Sequence, residues 1–230
     1  MSNCLYEVQM EVEGPLAMFA RPDTGGTPTS YPLPTWSAAK GLFEAIAFFK
    51  DGAGWVRPTK VQICRRVGEK GGAIRFQRYT TNYGGPLRKS NLLKNGSSMQ
   101  LYATVLSDAC YRIFGEVVGQ RVRNGLNPRH HLQAMIQRRL RRGQCYRTPC
   151  LGWSEFTCTY WGPFREGMTE RDDSLSLTVP SMMFGVWDHP ISGEYAPAFC
   201  QDVHLNQGEL IYHLPQEHPW GVSEEFRTDA

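Results

Sequence analysis

From residue 4 to 13 apolar and polar positions alternate, with Leu5, Val8, Met10 and Val12 on the apolar side, which predicts a strand. A loop rich in Gly, Pro and Thr follows, "RPDTGGTPTSYPLP". Thr35 is then a good N-cap for "WSAAKGLFEAIAFFKD", whose Leu42, Phe43, Ile46 and Phe49 fall at helical spacing. "WVRPTKVQICRRVG" alternates again and predicts a second strand, and residues 68 to 98 read as an insertion punctuated by glycines. "MQLYATVL" and "CYRIFGEVVG" predict one strand and its continuation after a break at Ser107 and Asp108. Asn127 as N-cap, Pro128 at the first helical position and Gly143 as C-cap bound a second helix, with Leu132, Met135, Ile136 and Leu140 as its buried stripe. "EFTCTYW" predicts a further strand.

The order is β-α-β-(insertion)-β-α-β, a split βαβ pattern, so the expected class is α+β with a ferredoxin-like domain over residues 1–162. Beyond residue 162 the short runs "SLSLTV", "MMFGVW", "AFCQDVHL" and "ELIYHL", separated by Pro and Gly, predict a small C-terminal β domain, 163–230. The longest uncharged, fairly apolar run, Ser174 to Trp187, is far short of the ~20 residues a membrane helix needs. The N-terminus carries Glu7, Glu11 and Glu13 and no basic stretch, so it does not read as a signal peptide. Seven cysteines without a C-x-x-C pair argue for core thiols in a reducing cytoplasm rather than for disulfides or a zinc ribbon.

Charge changes this picture. From Val56 to Cys150 there are nineteen Lys and Arg against Glu69, Asp108 and Glu116, a net +16, while the rest of the chain carries six basic and nineteen acidic residues, a net −13. Such segregation predicts a basic surface that meets a polyanion. The insertion mixes Arg75, Arg78, Arg88 and Lys89 with Tyr79 and Tyr83, a combination suited to single-stranded nucleic acid, where phosphates need cations and unstacked bases need flat partners. The second helix opens on Arg129, His130 and His131 and ends on Arg138, Arg139, Arg141 and Arg142. Its N-terminus attracts anions, and a neutral imidazole there can take a proton from a ribose 2′-OH. Arginines at a helix C-terminus also suit the helix dipole, so a solvated basic helix with two ordinary histidines is the competing reading. The later histidines (His189, His204, His213, His218) have irregular spacing and no set of Cys or carboxylate partners, so no metal is expected. No Walker loop, G-x-G-x-x-G or G-x-S-x-G is present, which leaves nucleotide hydrolysis, dinucleotide redox and serine hydrolysis without support.

Four blocks, "GPLAMFARP", "SYPLPTWSAAKGLFEAI", "NPRHH" and "GQCYRTPCLGWSEF", resemble in order the type I-C CRISPR-associated Cas-five-d (Cas5d) family of pre-crRNA endoribonucleases, over residues 14 to 156. The resemblance implies an RRM-like (RAMP) ferredoxin domain with a basic hairpin "thumb", followed by a small β domain. It implies binding of the CRISPR repeat RNA and of the crRNA 5′ handle, and assembly with the Cas-seven backbone and Cas-eight large subunits of Cascade, with target DNA reached through the complex. Cleavage would need no metal or cofactor, and no membrane would be involved. The family's lysine–histidine pair falls on His130 and His131, whereas its catalytic tyrosine falls on Ala47, followed by Phe48. His131 is then the expected base, His130 and Arg129 stabilise the phosphorane, and Tyr31 is a candidate for the absent hydroxyl. Arg21 and Lys40 join Arg129, Arg138, Arg139, Arg142, Arg75, Arg78, Tyr79, Tyr83, Arg88 and Lys89 as expected RNA contacts. A non-catalytic subunit that only grips the handle is the alternative, and an RNA-binding domain unrelated to CRISPR a third.

Overall fold

A computed structural model of the chain describes residues 6–49, 52–69, 72–83, 99–119, 127–187 and 193–213. Arg88, Lys89, His189 and His218 lie outside the described residues. Nine strands and two α-helices are found among them: β1 (Glu7–Ala17), α1 (Trp36–Ile46), β2 (Gly54–Arg66), β3 (Phe76–Tyr83), β4 (Met99–Gly119), α2 (Pro128–Arg142), β5 (Tyr160–Gly162), β6 (Thr169–Arg171), β7 (Leu177–Trp187), β8 (Tyr195–Leu205) and β9 (Glu209–Ile211). The class is α+β. No helix among the described residues is long and apolar enough to cross a membrane.

The main sheet runs β5-β1-β4-β2-β6, with β3 added on β4 and β9 on β2. All of its pairings are antiparallel. Alternation in β1 sends Val8, Met10 and Val12 to one face, where they join Val61 and Ile63 of β2, Tyr111 and Ile113 of β4, and the apolar sides of α1 (Leu42, Phe43, Ile46) and α2 (Leu132, Ile136, Leu140) in one core. Both helix starts form as their sequences dictate. The Thr35 hydroxyl accepts the N–H of Ala38 at 3.2 Å, and the Asn127 side chain accepts the N–H of Arg129 at 3.1 Å. Gly143 closes α2 in the left-handed region, φ 62°.

The opposite face of β1 carries Glu11, which is fully buried. It accepts hydrogen bonds from the Arg165 guanidinium at 2.7 Å, the Thr169 hydroxyl at 2.8 Å and Arg112 at 3.2 Å. These contacts lash the segment before β6 onto the sheet.

Four expectations change. α1 ends at Ile46 rather than continuing through Phe49: Ala47 is extended at φ −147°, because Tyr146, Arg147 and Arg139 from elsewhere take the last helical carbonyls. The break at Ser107 and Asp108 does not end the strand. Asp108 turns through φ 51° and β4 continues as a single 21-residue strand, its first half paired with β3 as a hairpin. Of "EFTCTYW" only Tyr160 and Trp161 pair as a strand, in β5, since residues 149–158 fold back on themselves through Leu151 N–H to Phe156 O and Cys158 N–H to Pro149 O. "SLSLTV" and "MMFGVW" merge into β7, with Pro180 tolerated because β7 and β8 form a sheet of two strands that is edge throughout. Within residues 163–213, β6 and β9 pair with β2, and Val179, Met182, Leu205 and Leu210 pack into the same core as the helices.

Candidate nucleic-acid interface

The start of α2 is fixed by Asn127, whose amide also donates to the Tyr6 hydroxyl at 2.8 Å. The Arg129 guanidinium lies 5.3 Å above the Tyr6 ring, and the His130 ring meets the edge of the same tyrosine at 6.4 Å. His131, one residue on, turns to a different neighbour and stacks on Phe49 with centroids 5.7 Å apart. Both imidazoles are exposed.

Helical geometry sets what shares a side with them. Positions 131, 138 and 142 fall within a few tens of degrees of one another around the helix axis, so His131, Arg138 and Arg142 form one stripe. Arg138 and Arg142 are exposed, and no carboxylate among the described residues pairs with them. Arg139 behaves otherwise: its guanidinium donates to the Ile46 carbonyl at 2.6 Å and so caps α1. Arg141 donates to the Gln137 carbonyl at 3.2 Å.

The β3–β4 hairpin presents a second exposed surface. Arg78 pairs across with Thr104 and Thr80 with Tyr102, so these side chains, together with Phe76, share one face. Phe76 is 48% and Tyr102 58% exposed. Tyr79 faces the other way and packs edge-on against Phe156 at 5.1 Å; burial there pushes its phenol up, helped by Glu155. Tyr83 ends β3, opposite Met99. Arg75 is held by Glu69 at 3.0 Å and Asp108 at 3.4 Å.

Three further expected site residues are spent within the fold. Tyr31 is 1% exposed, and its hydroxyl accepts the N–H of Met183 in β7 at 3.1 Å. Burial, only partly offset by that hydrogen bond, holds its phenol above the ordinary range. Among the described residues no contact joins it to either histidine. Lys40, 8% exposed, is ion-paired with Glu44 and lies 5.7 Å above the Trp55 ring. Arg21 is paired with Asp23 at 2.6 Å and rests on the Tyr31 ring at 5.7 Å.

The structure therefore brings together His131, Arg138 and Arg142 on α2, and Arg78 with two aromatic rings on the hairpin. Sequence reading missed Tyr102, although its place in the alternation of "MQLYATVL" put it among polar positions. It also missed Tyr146, which lies beside Phe48 at the end of α1 and for which no local pattern gave a signal. Among the described residues no three Cys, His, Asp or Glu side chains gather as a cation site.

Known proteins share the fold or much of the sequence. A crystal structure described as a CRISPR-associated protein superposes with a TM-score of 0.61 over 92% of this chain and 94% of its own, at 19% identity. A functionally uncharacterized protein, SMU1763c from Streptococcus mutans, does so equally well at 18% identity. In sequence, the chain is 29% identical over 180 residues to the CRISPR pre-crRNA endoribonuclease Cas5d of Thermus thermophilus, covering 78% of this chain and 73% of that one. It is 30% identical over 183 residues to the protein of the same name from Mannheimia succiniciproducens, covering 74% and 76%. The sequence model of the family described as CRISPR-associated protein (Cas_Cas5), Cas5d type, matches residues 8–188, most of the elements described above, and the chain belongs to that family.

Proposed function

We propose that this protein binds the repeat-derived 5′ handle of crRNA in a type I-C Cascade and cleaves pre-crRNA by attack of a ribose 2′-OH, without a metal. The observation that carries this reading is the stripe on α2. An exposed imidazole, His131, stands at a helix N-terminus in line with two arginines that no carboxylate among the described residues neutralises. His131 removes the proton of the 2′-OH, the 2′ oxygen bonds to the adjacent phosphorus, and the bond from phosphorus to the 5′ oxygen breaks. A second proton goes to that leaving oxygen, giving a 2′,3′-cyclic phosphate and a 5′-OH. His130 and Arg129, in the same first turn, stabilise the phosphorane. The names of the two Cas5d relatives support the activity.

On this reading β1-α1-β2-β4-α2-β5 is a ferredoxin-like, RRM-like (RAMP) unit, and the antiparallel order β5-β1-β4-β2 supports it. Residues 1–162 hold the RNA, with the β3–β4 hairpin as thumb, and 163–230 form a smaller β-rich unit docked through β6 and β9. The partners are the Cas-seven and Cas-eight subunits and, through them, target DNA, in the cytoplasm.

A second reading, handle binding without cleavage, is favoured by one observation: Ala47 is buried and offers no hydroxyl, and Tyr31 turns its own inward. Incubating the protein with its cognate repeat RNA in EDTA separates the two. A product ending in 2′,3′-cyclic phosphate, lost in His131→Ala while RNA binding persists, is the expected result. Intact RNA, tightly bound, would leave only the structural role.

A further inference from the structure

Two large aromatic rings lie exposed where the chain leaves α1. Phe48 is 38% and Tyr146 46% exposed, and their centroids are 5.9 Å apart with a tilt of 36°. Neither belongs to a hydrophobic core cluster. Their backbones are nevertheless firmly held. The Tyr146 N–H donates to the carbonyls of Ala45 at 2.9 Å and Ile46 at 3.1 Å, and the Arg147 N–H donates to Ala45 at 2.9 Å. On the other flank the Ala47 N–H donates to Phe43 at 3.0 Å. The rings are thus presented from fixed backbone on both sides, at little further cost in order when something binds.

What surrounds them decides what that is. Phe49, next in sequence to Phe48, stacks on His131, and Arg139 reaches the same Ile46 carbonyl that Tyr146 does. Between Val117 and Ser154 the chain has eight arginines and no Asp or Glu. Flat rings, one of them within this arginine-rich stretch, match an unpaired nucleotide, whose base stacks while its phosphates seek cations, and the nearby Glu44 is paired with Lys40. A protein partner would have to supply acidic groups of its own. We propose that Phe48 and Tyr146 form a stacking surface for an unpaired nucleobase of the bound RNA, and that the Tyr146 ring rather than its hydroxyl is what matters. The inference rests on the RNA-binding reading above and adds a residue pair that holds the strand near the C-terminal end of α2.

The test uses a single-stranded 2′-O-methyl oligoribonucleotide of repeat sequence in which unpaired positions are replaced in turn by 2-aminopurine. Methylation blocks the attacking oxygen, so the result does not depend on cleavage. With the parent protein, fluorescence at one or two positions is expected to be quenched on binding. In Phe48→Ala/Tyr146→Ala that quenching disappears and Kd rises about tenfold or more. The slope of log K against log salt stays the same, since neither ring carries charge. Tyr146→Phe binds like the parent, whereas Tyr146→Leu, which keeps the apolar bulk, does not. Parent-like affinity and quenching in the double Ala variant would overturn the proposal, as would a Tyr146→Phe loss equal to that of Tyr146→Leu. A parent that binds no RNA would instead remove the RNA reading as a whole.

Discussion

Glu11 is the residue whose role is least visible in its own alternating strand. It occupies a position that the pattern assigns to the polar face, yet it is completely covered, and two guanidiniums and a threonine hydroxyl converge on it. Among the described residues, removing its charge leaves Arg112 without a carboxylate and Arg165 with Glu13 alone. Glu11→Gln keeps the shape and the hydrogen-bond acceptor but discards the charge that Arg112 and Arg165 were drawn to. We expect it to cost about 3 kcal/mol, the low end for a broken buried pair because both arginines keep some water contact. For a chain of this size that corresponds to a fall of roughly 6–12 °C in Tm, readable by calorimetry. A change below about 2 °C would show that the cluster holds no such energy.

At the scale of elements, α2 separates arginines that support the fold from arginines left over. Arg139 caps α1 and Arg141 returns to its own helix, but Arg138 and Arg142 project from one side without a partner among the described residues. Replacing both with Ala is therefore expected to leave the melting temperature unchanged and to weaken RNA binding. The slope of log K against log salt should also become shallower by about 1.4, the value for two phosphate contacts on a single strand. An unchanged slope would place the phosphates elsewhere. This element was also the most legible in the sequence: Asn127, Pro128 and Gly143 bound it, and its apolar spacing is local information. So were Thr35 and the alternation of β1 and β2. The end of α1 was not, because Ile46 stops the helix only by accepting bonds from residues about a hundred positions away, Arg139 and Tyr146. For the same reason the candidate site was half legible. His131, Arg138 and Arg142 share a helix and can be counted off, whereas the meeting of Phe48 with Tyr146 depends on tertiary contacts. Lys40, Arg75 and Arg21 looked available in sequence only because Glu44, Glu69, Asp108 and Asp23 are not marked there as partners.

Across the whole molecule, the acidic half of the chain is bound to the basic half largely through carboxylates. Burial alone would raise the carboxyls of Glu13, Asp172 and Glu209, but their hydrogen bonds outweigh it and hold all three below their ordinary values. Glu13 receives Arg66 and Arg165; Asp172 receives Ser174 and the Ala73 N–H; Glu209 receives Gln62 and Lys60. A carboxyl depressed in the fold adds stability that is complete above its unfolded pKa, near 4, and drains away as pH falls through the folded value. Stability should accordingly be flat from about pH 7 to 5 and decline steeply below about pH 4. Hydrogen exchange at low pH should open β6 and β9 before the β1–β4 centre of the sheet. Simultaneous loss of every strand would mean that these carboxylates do not form a separate seam.

The central position of β4 also governs when the molecule can be built. Its pairing with β1 joins residues such as Glu11 and Arg112, 101 positions apart, and β9 returns to β2 across 149 positions, from Glu209 to Lys60. A chain leaving the ribosome thus carries β1, α1 and β2 in the open until β4 has emerged, and completes its sheet only once β9 has followed. Closing such distant pairs is entropically slow, and the waiting strand edges are prone to pair wrongly. A chaperone that shelters the residues ahead of β4 should raise the yield of folded protein, whereas slow translation through that stretch should lower it.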